Sequence, residues 1–362
     1  MKTKQLLGST VVGATFVTAI SAIAGMAFPA AEWEVVTPES QGLDGKLVEQ
    51  GMERLGELCG KVGNLQTVLV RNGRIVWQAA DIDNRHLIWS CTKSFTSVCF
   101  GLLWDDGKIA PDDLAVGYYP PLQENYPSVT IEQLMAFTSG YRCKPDSEPF
   151  VPGTPNHAPG EAFHYNEAPD LTAFILARLA GKPLQEFFRE RIGAPIGIKP
   201  DEMLWKNYTT VDGMPLNGGS GAPDGGIHLT ARAMARFGWL FCNDGVWGEQ
   251  RLLSRKYCAY ACAVRVPAAV PPFDEKAWYV GLPGRYGLHW WVNGTDQQGK
   301  RLWPGAPPET FAAQGNLNNI CFVLKDWQIV LVRMGEDENI EISLYDEVFA
   351  LLRRAMVDKQ VK

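Results

Sequence analysis

The chain has 362 residues, of which 46% are hydrophobic, 11% aromatic and 20% charged. This composition excludes a disordered or low-complexity protein and suits one large domain or two closely packed ones. The net charge is −6, from 34 basic and 40 acidic residues with no Lys/Arg-rich stretch, so the electrostatic footprint of a nucleic-acid binder is missing.

Lys2 and Lys4 precede an uncharged stretch from Gln5 to Ala31 that contains the small-residue triplet Ala22-Ile23-Ala24. A basic start, an apolar middle and small residues predict a secretory signal peptide over residues 1–24, cleaved near Gly25, with an uncleaved anchor as the alternative. The folded domain is then expected over 33–362, and the protein to be periplasmic or secreted. The interval Leu43–Cys59 has helical periodicity. Leu65–Val70 and Ile75–Trp77 flank Asn72-Gly73, the dipeptide that tolerates positive φ at both central positions of a hairpin turn. Helices are predicted at about Lys93–Asp106, Ile131–Phe137, Asp170–Leu179 and Thr230–Cys242, separated by Gly/Pro-rich loops at Gly140–Gly160 and Gly213–Gly226. A second hairpin, Asn319–Leu324 and Gln328–Val332 around Lys325-Asp326-Trp327, precedes a last helix over Ile342–Met356. The pattern predicts an α+β fold. The two chain ends build one mainly antiparallel sheet from Leu65–Trp77 and Tyr286–Val332, the last helix packs on it, and a mainly helical lobe (about 90–280) lies between.

Chemistry begins at Ser90-Cys91-Thr92-Lys93, the only Ser-x-x-Lys in the chain. On a helix this spacing sets hydroxyl and amine one turn apart on one face, where a desolvated lysine can take the hydroxyl proton. The pair is embedded between Leu87-Ile88-Trp89 and Val98–Leu103, and a buried lysine needs a reason. Eight cysteines and five histidines show no CxxC, no HExxH and no clustered ligand spacing, so no metal and no cofactor is expected, and most thiols read as small buried groups. His164 and His228 have no partner motif and read as structural. Gly218-Gly219-Ser220-Gly221 is followed by Ala222, which breaks the Gly-x-Ser-x-Gly elbow.

Further segments follow in order: Thr138-Ser139-Gly140, then Pro159-Gly160-Glu161-Ala162-Phe163-His164-Tyr165-Asn166, then Gly225-Gly226-Ile227-His228-Leu229-Thr230, then Tyr286-Gly287-Leu288-His289-Trp290-Trp291, and finally Ala313-Gln314-Gly315-Asn316. With Ser-x-x-Lys, this ordered set resembles the penicillin-recognising serine hydrolases of class C β-lactamase type, which include DD-peptidases, D-amino-acid amidases and carboxylesterases. The resemblance runs from about Leu43 to the C-terminus and implies a β-lactamase/transpeptidase-like fold. It implies Ser90 as the acylated nucleophile, Lys93 as its proton acceptor and Tyr165 as a proton relay. The family's Tyr-x-Asn reads here as Tyr165-Asn166-Glu167, so either Asn166 substitutes or Glu167 changes the charge of the site. The strand motif, Lys-Thr-Gly or His-x-Gly in the family, reads Ala313-Gln314-Gly315 and has lost its cation. The implied oxyanion hole is the N–H of Ser90 with that of Asn316.

The expected activity is hydrolysis of a small-molecule ester, amide or peptide by acyl-enzyme formation. β-Lactamase or DD-carboxypeptidase activity is one alternative. A catalytically weak member that binds cell-wall fragments or a protein is another. With Ala313 and Gln314 uncharged and Glu167 acidic, neutral esters and neutral or cationic amides are expected to be preferred to anionic β-lactams, unless Arg142 or Arg285 replaces the lost cation.

Overall fold

The structure, a computed structural model, describes residues 26–59, 65–145, 147, 150–336 and 344–356. The expected signal segment, and Ile342 and Ser343 of the expected last helix, lie outside these residues.

Asp44 caps helix α1 (Gly45–Leu58) by accepting the Leu47 N–H at 3.0 Å, as an N-cap carboxylate does. Strands β1 (Gln66–Arg71) and β2 (Arg74–Gln78) follow. They are joined through Asn72 (φ 51°) and Gly73 (φ 79°), the left-handed pair that the dipeptide predicts. After the short β3 (His86–Leu87) comes α2 (Thr92–Asp105), then α3 (Ile131–Met135), α4 (Ala168–Ala180) and α5 (Leu184–Phe188). Strands β4 (Met203–Trp205), β5 (Asn207–Val211), β6 (Met214–Asn217) and β7 (Ile227–Leu229) lead to α6 (Ala231–Cys242). Then come β8 (Val246–Trp247), β9 (Gln250–Arg251), α7 (Arg255–Ala261), β10 (Trp291–Val292), β11 (Phe311–Gly315), β12 (Asn319–Leu324), β13 (Ile329–Met334) and α8 (Tyr345–Ala355).

One six-stranded antiparallel sheet, in the order β10-β11-β12-β13-β1-β2, joins the two ends of the chain. Every residue of β12 and β13 is buried, so these strands read as continuous apolar runs. Register separates their two faces. Cys321 pairs with Val332 and Val323 with Val330, and Gly238 of α6 sits against Val330 and Cys321. Phe322 pairs with Leu331 on the opposite face, where its ring meets Phe349 of α8 at 5.0 Å. The last helix therefore packs on the sheet, and α6 covers the other side.

The middle of the chain is less purely helical than its periodicity predicts. Three small sheets, β3-β7-β4, β5-β6 and β8-β9, lie there. The expected loop Gly213–Gly226 contains β6, because Asp212 (φ 50°) and Gly213 (φ 80°) form a tight hairpin turn after the β-branched run of β5. The secondary structure as a whole, helices with antiparallel sheets, is α+β.

Helix α2 is covered on all sides, and the stretch Thr92–Leu103 is buried, as expected of a helix that runs through a core. Its polar side chains are satisfied internally. Ser94 Oγ donates to His289 O at 2.8 Å, Ser97 Oγ meets the Tyr257 hydroxyl at 3.0 Å, and Thr92 Oγ1 accepts the Ile227 N–H at 3.1 Å.

Candidate active site

Ser90 sits in a short 3₁₀ turn (Trp89–Cys91) that runs directly into α2. The residue before it, Trp89, has φ 50°, a left-handed conformation that is costly for an indole and persists only where the surroundings enforce it. Two glycines supply that enforcement. A Cβ on Gly221 would meet Trp89 C at 2.5 Å and Ser90 N at 2.9 Å. A Cβ on Gly315 would come within 3.1 Å of both Ser90 N and Cys91 N, and nearer still to Ile88 O. The Gly-rich loop after β6 and the end of β11 thus grip the Ser90 turn from two sides, with Asn316 following Gly315 in the chain.

Lys93 lies one turn on, 3% exposed. Its Nζ is 2.8 Å from Ser90 Oγ, donates also to the Ser220 carbonyl, and lies over the Tyr165 ring at 4.8 Å from the centroid. Such a buried ammonium or amine is held by its acceptors and the aromatic face rather than by a counter-ion. The loop carrying Ser220 is tied down by Asp170 in the first turn of α4, whose Oδ1 accepts the N–H groups of Gly219 (2.8 Å) and Ser220 (2.9 Å). Burial raises the Asp170 carboxyl above the usual carboxylate range, opposed by these N–H donors and the charge of Lys93. Asp170, Ser220 and Gly221 were not singled out by sequence reasoning. The glycine loop reads in the sequence only as a failed elbow.

Tyr165 is packed between Phe137 (centroids 4.3 Å) and Trp278 (4.9 Å, edge-on). Beside it, with ring centroids 6.2 Å apart, lies Tyr286, a fully buried phenol whose pKa is driven well up by burial first and by its tyrosine neighbour second. His289 is buried beneath the site, with φ 60° and its pKa held well below the usual imidazole range by burial and then by the Lys93 charge.

The cleft in front of Ser90 has a volume of about 630 Å³, and Tyr165, Gln314, Gly315 and Asn316 line it with Ser90. Asn318, Leu282, Leu302, Trp291, Trp278, Gly281 and Arg285 complete the wall. The turn that follows Asn316 is built from two left-handed residues, Leu317 (φ 59°) and Asn318 (φ 58°). Buried Arg333 holds it by donating to Leu317 O and Asn318 O at 3.0 and 3.2 Å. Asn319 donates to Asn316 O at 2.8 Å and accepts from His86 Nε2 at 2.8 Å.

Other expected site residues lie elsewhere. The Asn166 amide is spent on backbone, donating to Tyr141 O (2.8 Å) and accepting the Ala168 N–H (2.9 Å) at the start of α4. Glu167 accepts the Cys143 N–H at 2.6 Å. Neither lines the cleft, so the expected acidic charge of Glu167 does not face it. Ala313 is fully buried in the sheet. Of the two candidate replacement cations, Arg142 is not in the wall. Arg285 is, but its guanidinium donates to Asp296 Oδ2 (2.7 Å), Lys300 O (2.6 Å) and Gly281 O (3.0 Å). His164 stacks on Phe273 and meets Asn156, and His228 sits in β7 opposite Leu87. All eight cysteines are free thiols. Among the described residues no helix is long and apolar enough to cross a membrane.

Comparison with known proteins bears on this geometry. The model of the family described as Beta-lactamase matches residues 46–339. The 6-aminohexanoate-dimer hydrolase of Paenarthrobacter ureafaciens is 24% identical over 258 residues, which span 61% of this chain and 63% of that protein, under two thirds of its length. Among solved structures, a family VIII carboxylesterase superposes with a TM-score of 0.66 at 17% identity, covering 87% of this chain and 99% of its own. A penicillin-binding protein homologue from Caulobacter crescentus gives 0.63 at 16% identity, covering 86% and 97%. These likenesses show the β-lactamase/transpeptidase-like fold.

Proposed function

The chain belongs to the Beta-lactamase family of hydrolases, and from that membership and the geometry at Ser90 we propose that it is an exported serine hydrolase cleaving an uncharged ester or amide through a Ser90 acyl-enzyme. The observation that carries the reading is the 2.8 Å contact of Lys93 Nζ with Ser90 Oγ at the floor of the cleft. A hydroxyl this close to a buried amine can lose its proton as it attacks.

In acylation, Ser90 Oγ bonds to the substrate carbonyl carbon while its proton passes to the Lys93 amine. The carbonyl electron pair moves to oxygen, facing the N–H groups of Ser90 and Asn316. The pair returns as the bond to the leaving oxygen or nitrogen breaks, and that atom takes a proton from the Tyr165 hydroxyl, which Lys93 re-protonates. In deacylation, water adds to the acyl carbon and gives up a proton through Tyr165. The Ser90 oxygen leaves and is re-protonated by Lys93, so that carboxylic acid and free enzyme result.

The preference for uncharged substrates rests on the wall of the cleft. Among the described residues Arg285 is its only charged lining residue, and an anionic donor would have to compete with Asp296 and two carbonyls for that guanidinium. Relatives named as a 6-aminohexanoate-dimer hydrolase and a carboxylesterase agree with ester or amide chemistry. Export rests on Lys2, Lys4 and the Ala22-Ile23-Ala24 triplet. It predicts a mature N-terminus near Gly25 in protein recovered outside the cytoplasm, read by N-terminal mass spectrometry.

The test of the chemistry is covalent labelling of Ser90 by a fluorophosphonate, located by mass spectrometry and lost in Ser90→Ala. Lys93→Ala should lower hydrolysis of p-nitrophenyl acetate by several orders of magnitude with the melting transition kept. An unlabelled Ser90 in folded protein, or near wild-type turnover by Lys93→Ala, overturns the assignment. Turnover of nitrocefin at the rate of p-nitrophenyl acetate overturns the charge preference.

A further inference from the structure

Trp278 has 66% of its surface exposed, more than any other large apolar side chain among the described residues, and it stands in the wall of the cleft. Its ring lies nearly parallel to that of Trp291 (16°, centroids 6.3 Å apart) in a stacked arrangement, so Trp291 backs it. Trp291 is 6% exposed, which leaves Trp278 to supply the free face. Leu282 and Leu302 extend the same wall. An indole left open to water beside a nucleophile regains its hydration cost when a flat apolar group covers it.

The position of Trp278 relative to Tyr165 decides which part of a substrate that group belongs to. The Trp278 ring packs against Tyr165 at 4.9 Å, and Tyr165 is the residue that hands a proton to the departing atom. A group leaving beside Tyr165 therefore has the exposed Trp278 indole within reach in the same cleft. We propose that Trp278 is the specificity-determining residue of this cleft and that it receives an uncharged aromatic leaving group, an arylalkyl alcohol or amine. The inference rests on the acyl-enzyme reading above and adds to it the class and the side of the substrate.

The experiment compares kcat/KM for two pairs of esters in wild type, Trp278→Ala and Trp278→Phe. Benzyl acetate and butyl acetate share the acyl group and have leaving alcohols of comparable reactivity. Ethyl phenylacetate and ethyl acetate share the leaving group. The benzyl/butyl ratio should fall about tenfold in Trp278→Ala and be largely restored in Trp278→Phe, while the phenylacetate/acetate ratio stays within about twofold. An unchanged benzyl/butyl ratio overturns the proposal, and so does a fall confined to the phenylacetate/acetate ratio, which would put the acyl group on the indole. Fluorophosphonate labelling of the same preparations separates the two levels. If wild-type Ser90 is neither labelled nor active on any ester, both the acyl-enzyme reading and this inference fall. If it is labelled and active but the ratios do not move, only this inference does.

Discussion

Gly315→Ala tests whether the grip of β11 on the nucleophile turn sets the geometry of the site. Gly315 has φ −128° and ψ 167°, extended backbone that alanine adopts without strain, so the effect of the substitution is steric. The added methyl would lie within 3.1 Å of Ser90 N and Cys91 N and about 1 Å inside ordinary contact with Ile88 O. Backbone cannot rotate aside as a side chain can. Relief therefore requires β11 and the Ser90 turn to separate by about that distance, which moves the Ser90 and Asn316 amides apart. Overpacking of this size costs about 1–3 kcal/mol of stability. A displacement of about 1 Å at the reacting centre, or loss of one oxyanion donor, costs on the order of 10²-fold or more in rate. We expect kcat/KM for p-nitrophenyl acetate to fall by about that factor while the protein still melts cooperatively, a few degrees lower. Gly117→Ala, where a Cβ meets nothing within 4 Å, is the control and should leave both readings near wild type. Activity of Gly315→Ala within about threefold of wild type would refute the argument that this close approach aligns the site.

Tyr165→Phe should lower kcat by at least about a hundredfold through loss of the proton relay, and a burst of acylation followed by slow turnover would assign the loss to deacylation. Asp170→Ala leaves the N–H groups of Gly219 and Ser220 without an acceptor; it should cost about 1–3 kcal/mol of stability and slow turnover by loosening the Ser220 carbonyl that holds Lys93, whereas Asp170→Asn, which can accept both bonds, should recover most of it. Asp296→Asn releases Arg285 from its ion pair and should lower KM for nitrocefin relative to p-nitrophenyl acetate; an unmoved ratio would show that Arg285 does not face the substrate. Arg191 grips Asp106 with two bonds of 2.9 and 3.0 Å, and the hydrogen bonds from Arg191 hold the Asp106 carboxyl below its ordinary value of 3.8. A depressed acid stabilises the fold above its unfolded pKa and loses that contribution as pH falls through the folded one. Chemical denaturation should thus show Arg191→Met costing roughly 0.5 kcal/mol at pH 7, the scale of a solvent-screened pair, with the difference shrinking as pH falls below about 3.8 and through the lower folded-state value.

Local physics was legible in the sequence wherever neighbours along the chain decide it. Asn72-Gly73 set a hairpin because only such residues tolerate two successive positive φ values. The apolar runs Asn319–Leu324 and Gln328–Val332 around Lys325-Asp326-Trp327 marked a second hairpin, which the structure builds as β12 and β13. Ser90 and Lys93, three residues apart, meet at 2.8 Å because one turn of helix brings them there. Asp212-Gly213 carried the same hairpin signal as Asn72-Gly73, and the Gly/Pro content around it masked the strand that follows.

The remainder of the site depends on contacts between segments far apart in the chain. Asn166 and Glu167 follow Tyr165 directly, yet the start of α4 turns their side chains onto the backbone of Tyr141 and Cys143, away from the cleft. Asp170 reaches Lys93 only through a loop about 50 residues later, and Arg285 loses its freedom to Asp296 and to carbonyls of its own loop. Trp278 comes to stand beside Tyr165, backed by Trp291, only when the chain folds back across the site. The letters of the sequence specify which groups exist and how their immediate neighbours bend the backbone. Which polar groups are already spent on partners, and which remain facing an open cleft, is settled by packing across the whole chain, and that decides what charge and shape of substrate the cleft can accept.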